Sequence, residues 1–204
     1  MREHTEQRRV EHSQERALPG SAEVAGGVVA ERRAVDPAQS AVVFLIGMRV
    51  NRWWMLPAIW AVAGAMTRMM RELLADPSAG LLHPEGDAGR TTPMVQYWRS
   101  LDDLQRYAHD RERAHAPAWQ RWAKRLGLDG AVGIWHETYV VEPGQHESVY
   151  HHMPAFGLGR ALGTVPAEGA LRTARGRLAA GAKARVAAQA AVTGAAAAGE
   201  AQAA

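Results

Sequence analysis

The spacing of apolar residues divides the middle of the chain into strands and helices. The run AVVFLIGMRV at Ala41–Val50 is apolar on both faces until Arg49, which is typical of a central strand covered on two sides. Apolar residues then recur every three to four positions over 57–75, which predicts an amphipathic helix that ends at Asp76-Pro77.

Strand and helix signals continue in the same alternating order. They predict a short strand at 81–83, a turn at 86–89, a strand at 94–98, a helix after the cap-like Ser100, a further helix over 117–127 and a strand at 131–141. The order β, α, β, β, α(α), β is the split βαβ arrangement, so the fold class is a ferredoxin-like α+β domain. Helices on one face leave the other sheet face bare and apolar, and we therefore expect a homodimer that covers it.

The two ends of the chain differ from this middle part in composition. No aromatic residue precedes Phe44 or follows Phe156, and the residues beyond 160 are largely Ala, Gly and Arg. We predict a disordered segment over 1–38, the ferredoxin-like domain over 39–160 and a low-complexity tail over 161–204.

Charge and composition exclude several classes of function. The calculated pI is 9.7, but residues 160–204 carry six basic side chains against two acidic ones, whereas six Arg balance six Glu over 1–35. The basicity therefore belongs to the tail, and we expect no nucleic acid as a partner. Cysteine is absent, so thiolate chemistry and Cys-type metal sites are excluded.

No segment has the pattern of a secretory signal or a membrane span. The longest apolar stretch, 53–66, contains Pro57 and Gly64 and is shorter than the roughly 18 to 20 residues that cross a bilayer. The expectation is a cytoplasmic protein without a membrane span.

Five segments together resemble a known family. They are VVFLIGMRVNRWW, MVQYWRSLDDLQRYAHD, HAPAW, VGIWHETYVV and YHHMPAFGLG, spread over roughly residues 39–160. The chain resembles the monooxygenase-like proteins of the dimeric α+β barrel superfamily that are grouped with a fungal fumagillin-pathway polyketide monooxygenase. This resemblance implies a homodimeric barrel and oxygenation of a hydrophobic small molecule, such as a polyketide or another secondary metabolite. The polar, Gly-rich turn HPEGDAGRTTP departs from the family pattern.

His136 and Glu137 are the candidate catalytic residues of the last strand. A half-buried imidazole serves as a general base or ligand, but a core or interface histidine satisfied by a hydrogen bond is the commoner case. Glu137 is likewise more often the partner of an arginine than an acid catalyst. Alternation places His136 on the opposite sheet face from both of its neighbours.

His115 is a third candidate, tied to a possible haem. If the helix predicted over 117–127 extends back that far, His115 and Trp119 share one face with Trp122 and Leu126, and such an imidazole is able to hold a haem iron. The alternative is that Pro117 begins the helix and His115 merely precedes its cap. The cofactor is thus haem or none, and no other metal site is predicted.

Polar or aromatic residues in otherwise apolar segments are candidates for substrate binding. They are Arg49, Gln96, Tyr97, Trp98 and Trp119. Such groups orient a polar substrate atom in an apolar cavity, although more often they mark strand ends or pair across the sheet.

Three functions remain open at this stage. The first is a monooxygenase-like oxidoreductase acting on a hydrophobic small molecule. The second is a haem protein with dehydratase or peroxidase-type chemistry, and the third is a non-catalytic ligand-binding dimer.

Overall fold

The structure is a computed structural model that describes residues 23–24, 28–86, 91–110 and 130–202. Its elements are β1 (Glu23–Val24), β2 (Val28–Val29), β3 (Arg33–Ala34), β4 (Ala41–Val50), α1 (Leu56–Ala75), β5 (Leu81–Gly86), β6 (Thr91–Trp98), α2 (Leu101–His109), β7 (Val132–Val141), α3 (Leu158–Leu162), β8 (Val165–Pro166) and α4 (Ala174–Gln202). Short 3₁₀ turns cover Pro77–Ala79 and Gly169–Arg172.

The central sheet has the strand order β5-β6-β4-β7, and its pairs are antiparallel. Together with α1 and α2, this is the ferredoxin-like βαββαβ topology, as the sequence predicts. The register pairs Phe44 with Gln96 on one side and with Thr138 on the other, and Ile46 with Met94 and His136. Since side chains alternate along a strand, these residues share one face of the sheet.

The two long helices of the domain form because their apolar residues recur at helical spacing and their ends are marked. Pro57 occupies the first turn of α1, where its missing N–H costs nothing, and Asp76 follows its last residue. The Ser100 hydroxyl accepts a hydrogen bond from the backbone N–H of Asp103 at the start of α2, as its cap-like position predicts.

The core consists of two separate clusters on the helix side of the sheet. One contains Val42, Leu73, Ala79, Trp98, Leu104 and Tyr107, and the other contains Ala58, Ala131 and Val132 with Met48, Met55, Ile59 and Val62 packed against them. The clusters lie at opposite ends of β4, so its middle residues Phe44 and Ile46 lie between them.

Segments that flank the domain pack against each other. Strand β3 pairs with β8, and the Arg33 guanidinium donates to the hydroxyl of Thr164 at 2.8 Å and to its carbonyl oxygen at 2.6 Å. Ala34 and Val35 are buried. The packed part of the chain therefore extends on both sides beyond the predicted 39–160 boundaries. The composition of the flanking segments does not predict these contacts.

Helix α4 lies in the segment interpreted as a low-complexity tail. Its first turns hold Arg177, which is 2% exposed and donates to the Glu147 carboxylate and to the Leu171 carbonyl oxygen at 2.8 Å each. Gly181 packs against the backbone of Gly144, where side chains would prevent the approach. Small residues thus let this helix dock closely, a way of packing that a search for bulky apolar residues does not find.

No helix in the described part of the chain combines the length and apolar character that crossing a membrane requires. The predicted helix over 117–127 lies outside the described residues.

Candidate functional site

A cavity of about 1450 Å³ lies between the sheet and the two helices α1 and α2. Its floor is the middle of the sheet, with Phe44, Ile46, Met48, Met94 and Ile134. Helix α1 contributes Trp60, Met66, Met69 and Met70 to one wall, and α2 contributes Leu101 and Leu104 to another. The lining is predominantly apolar, and the volume exceeds the roughly 300 to 1,000 Å³ that is usual for small-molecule sites.

Helix α1 contributes both small and large side chains to the cavity. Ala61, Ala63 and Ala65 line it, whereas larger apolar side chains from both ends of the helix pack into the two core clusters. The cavity therefore lies between the two core clusters along α1. Methionines at five lining positions supply a surface that adapts to different ligand shapes.

His136 projects from β7 into this cavity. Its imidazole lies 5.6 Å from the ring of Phe44, centroid to centroid, with the planes tilted by 40°. In the single chain the residue is exposed, so it lies where the cavity meets solvent along the edge strand. Thr138 and Val140, on the same face of β7, line the cavity beside it.

Glu137 and Arg49 lie on the other face of the sheet, away from the cavity. The Glu137 carboxylate accepts a hydrogen bond from the Tyr139 hydroxyl at 2.6 Å, and this bond is the main reason that the pKa of Tyr139 is raised. Arg49 donates to the Thr91 hydroxyl at 3.4 Å. The structure therefore separates both residues from His136, the other candidate of the same sheet.

Gln96 and Trp98 lie on the cavity side of β6, deeper than Met94. Trp98 is 1% exposed and packs in the first core cluster, and its indole N–H donates to the Gln96 side-chain oxygen at 3.0 Å. Gln96 is 3% exposed, and its amide nitrogen lies 3.5 Å from the sulfur of Met94 and 3.7 Å from that of Met70. Gln96 thus lies directly behind Met94 and Met70, which line the cavity, whereas Trp98 packs in the core beside it.

Tyr97 points to the opposite face, under the segment that precedes α3. A Cβ at Gly157 would lie 2.9 Å from the Tyr97 hydroxyl, and Gly157 has a φ of +53°, so glycine suits this position for space and for backbone conformation. Burial, followed by the neighbouring Tyr150 and Glu85, raises the pKa of Tyr97. Tyr97 therefore holds this segment against the sheet and does not reach the cavity.

His115 and Trp119 lie outside the described residues. The proposed haem ligand and one of the proposed substrate contacts therefore have no described geometry. Among the described residues, no group of three or more His, Asp or Glu side chains is arranged to hold a metal ion.

Further polar residues, which no motif in the sequence indicates, also line the cavity. Arg68, Gln105 and His109 come from the helices and Glu85 from β5. The Glu85 carboxylate, however, lies on the Tyr97 side of the sheet, 2.9 Å from the His83 imidazole, and accepts a hydrogen bond from the Gly157 N–H at 3.3 Å. The sequence could have indicated Arg68 through helical spacing. It follows Ala61 by seven positions and Ala65 by three, which places all three residues on one face of α1.

The family model described as monooxygenase af470-like matches residues 41–158, which is more than half of the chain and includes the sheet, α1 and α2. The chain belongs to the monooxygenase af470-like family. This confirms the resemblance stated from the sequence.

A curated relative and two crystal structures are similar to this family member. Monooxygenase af470 of Aspergillus fumigatus is 28% identical over 130 residues, which cover 59% of this chain and 46% of that protein. The chain thus spans less than half of that relative's length. An aldoxime dehydratase in complex with butyraldoxime aligns with 14% identity and a TM-score of 0.53, over 76% of this chain and 42% of that one.

SnoaB, a cofactor-independent oxygenase from Streptomyces nogalater, aligns with 13% identity and a TM-score of 0.36, over 50% of this chain and 92% of that one. At these identities the dehydratase comparison supports the fold alone, and the SnoaB alignment is too loose to carry an argument.

Proposed function

We propose that this protein is a monooxygenase-like enzyme that oxidises a hydrophobic small molecule in the cavity between the sheet and α1. The observation that carries the proposal is a predominantly apolar cavity of about 1450 Å³ whose sheet floor carries the imidazole of His136. Membership of the monooxygenase af470-like family supports the reaction class. An apolar cavity with few polar groups favours a ligand that is itself mostly apolar.

His136 acts in this proposal as the general base. Imidazole exchanges a proton readily near neutral pH, and the Phe44 ring lies 5.6 Å from that of His136, centroid to centroid. Removing a proton from an activated CH₂ group leaves an electron-rich carbanion that reacts with oxygen. The balanced net reaction, in which R₂CH₂ and O₂ give R₂C=O and H₂O, oxidises the carbon and reduces the oxygen without an external reductant.

The proposed assembly is a homodimer formed through the sheet face opposite to the cavity. That face carries Val43, Leu45, Val95, Trp135 and Tyr139, none of which is buried, and Tyr139 is 50% exposed. Glu137 and Arg49 also lie on this face, but most of its side chains are apolar, and a largely apolar sheet face that is not buried is a typical protein–protein interface.

Anthrone, a tricyclic ketone with an activated CH₂ group, is a direct probe of the reaction. Purified protein in air is expected to consume oxygen and anthrone in a one-to-one ratio and to form anthraquinone faster than buffer alone. An absorption spectrum of the protein as isolated, recorded in parallel, reports any haem. A rate of anthrone oxidation equal to that of buffer would reject the proposed base-dependent oxidation of activated CH₂ groups.

A further inference from the structure

Gln96 is a buried amide with an unusual set of partners. It is 3% exposed and lies on the cavity side of β6, opposite Phe44 in the sheet register. A buried amide normally directs both of its N–H bonds to oxygen acceptors. The partners of Gln96 instead include two sulfur atoms.

The orientation of this amide is determined by Trp98. The indole N–H of Trp98 is a donor only, and it lies 3.0 Å from the Gln96 side-chain oxygen. The reverse orientation of the amide would direct its NH₂ group at this N–H donor. The NH₂ group must therefore face the other way, towards Met94 and Met70.

The acceptors on that side are the sulfurs of Met94 at 3.5 Å and Met70 at 3.7 Å. Thioether sulfur is a weak acceptor, so within the described part of the chain these contacts satisfy the amide donors poorly. Both methionines line the cavity, and an unbranched methionine side chain changes rotamer easily. A ligand in the cavity is therefore able to displace a sulfur and offer a better acceptor.

We propose that the Gln96 NH₂ group binds an oxygen acceptor of the substrate, so that the substrate class is apolar molecules bearing a carbonyl or enolate oxygen. This inference rests on the proposed function and names the chemistry of its ligand. A neutral or anionic oxygen takes the N–H bonds from the sulfurs, and the Trp98 contact holds the amide in the orientation that receives it. A hydrocarbon gains nothing from this amide.

The geometry also sets the length of the ligand. Gln96 and His136 lie on the two strands that flank β4, two residues apart in register. Two strand spacings and two residues along a strand separate their Cα positions by roughly 12 Å. A flat molecule of two or three fused rings lying over Phe44 reaches from the amide to the imidazole.

The test compares the affinities of 9-fluorenone and fluorene, which are flat tricyclic molecules that differ by one carbonyl oxygen, measured on the full chain by equilibrium dialysis. In Gln96→Met, the ratio of fluorenone to fluorene affinity is expected to fall by about fivefold, the value of one net hydrogen bond. Gln96→Glu keeps an acceptor for Trp98 and lowers the same ratio. The matched control Met94→Leu keeps the amide donors, and its ratio is expected not to fall.

A spectroscopic measurement on the unmodified protein does not depend on how well the variants fold. The infrared carbonyl stretch of bound fluorenone is expected at lower frequency than in cyclohexane, and it returns towards the cyclohexane value in Gln96→Met. An unshifted carbonyl stretch in the unmodified protein, or an unchanged affinity ratio in both Gln96 variants, rejects the inference and leaves the apolar cavity as the proposed ligand site. If neither fluorenone nor fluorene binds, both the inference about Gln96 and the proposed function fail.

Discussion

The imidazole of His136 and the ring of Phe44 lie 5.6 Å apart on neighbouring strands, on the wall of one cavity. Glu137 follows His136 directly and points to the opposite face of the sheet. Two adjacent titratable residues therefore lie on opposite faces of the sheet. Comparing substitutions at the two positions tests whether the reaction takes place on the cavity face.

Substituting His136 by Gln is expected to lower anthrone oxidation by at least tenfold, because a positioned general base commonly contributes 10²- to 10⁴-fold. Glu137→Gln, which changes the other face of the sheet, is expected to stay within twofold of the unmodified protein. Oxygen uptake by the two variants, each with its circular dichroism spectrum, provides the comparison. Equal losses in both variants would count against His136 as the base.

Asp103 is expected to stabilise the fold through its two arginine partners. It is 5% exposed and accepts hydrogen bonds from Arg99 and Arg106 at 2.7 Å each. Because both arginines are more than half exposed, we expect Asp103→Asn to lower the free energy of unfolding by about 1 to 2 kcal/mol. The control is Asp102→Asn at an exposed neighbouring position on α2, which is expected to change the free energy of unfolding by less than about 0.5 kcal/mol. Urea titration at pH 7 measures the free energy of unfolding of both variants.

The same carboxylate predicts a dependence of stability on pH. The hydrogen bond from Arg99, followed by that from Arg106, lowers the pKa of Asp103 from 3.8 to about 2. Because the pKa is lower in the folded state, the ionised Asp103 contributes to the free energy of unfolding above pH 4. This contribution is lost as the pH falls towards 2. The difference in unfolding free energy between the unmodified protein and Asp103→Asn should therefore shrink over this window, and a constant difference would contradict the assignment.

Helix α4 is expected to depend on the contact between Gly181 and Gly144. A methyl group at Gly181 meets the backbone of Gly144 and of Pro37, so Gly181→Ala is expected to destabilise the docked helix by about 1 to 3 kcal/mol. Gly194→Ala lies on the same helix in open space and is expected to stabilise it by roughly 0.5 to 1 kcal/mol through helix propensity. Relative to the unmodified protein, Gly181→Ala should be proteolysed faster and melt at a lower temperature. Gly194→Ala should be proteolysed more slowly and melt at a higher temperature.

If the dimer forms through the sheet face opposite to the cavity, a charge introduced on that face should change the molecular mass of the protein in solution. Leu45→Glu is expected to convert a dimer into a monomer at micromolar concentration, because the carboxylate would have to be buried without a partner. Val186→Glu, an exposed position on α4, is expected to leave the mass unchanged. Light scattering during size-exclusion chromatography distinguishes the two, and a monomeric unmodified protein would reject the dimer.

Local patterns were sufficient to predict the elements of the central domain. The central strand at Ala41–Val50 follows from its continuous apolar run, and the first helix follows from apolar residues at helical spacing. The start of α2 follows from the cap at Ser100. These features depend on residues within a few positions of one another, so a single sequence contains them. The order of the elements then limits the topology to the ferredoxin-like arrangement.

Tertiary structure alone decided which of these residues meet. Alternation separates His136 from Glu137, but only the placement of α1 and α2 shows that the His136 face is the one with the cavity. Arg33 and Thr164 are 131 residues apart in sequence, and α4 docks through glycine rather than through bulky side chains. Such contacts depend on the path of the whole chain, because periodicity defines the two faces of an element and packing determines what covers each face.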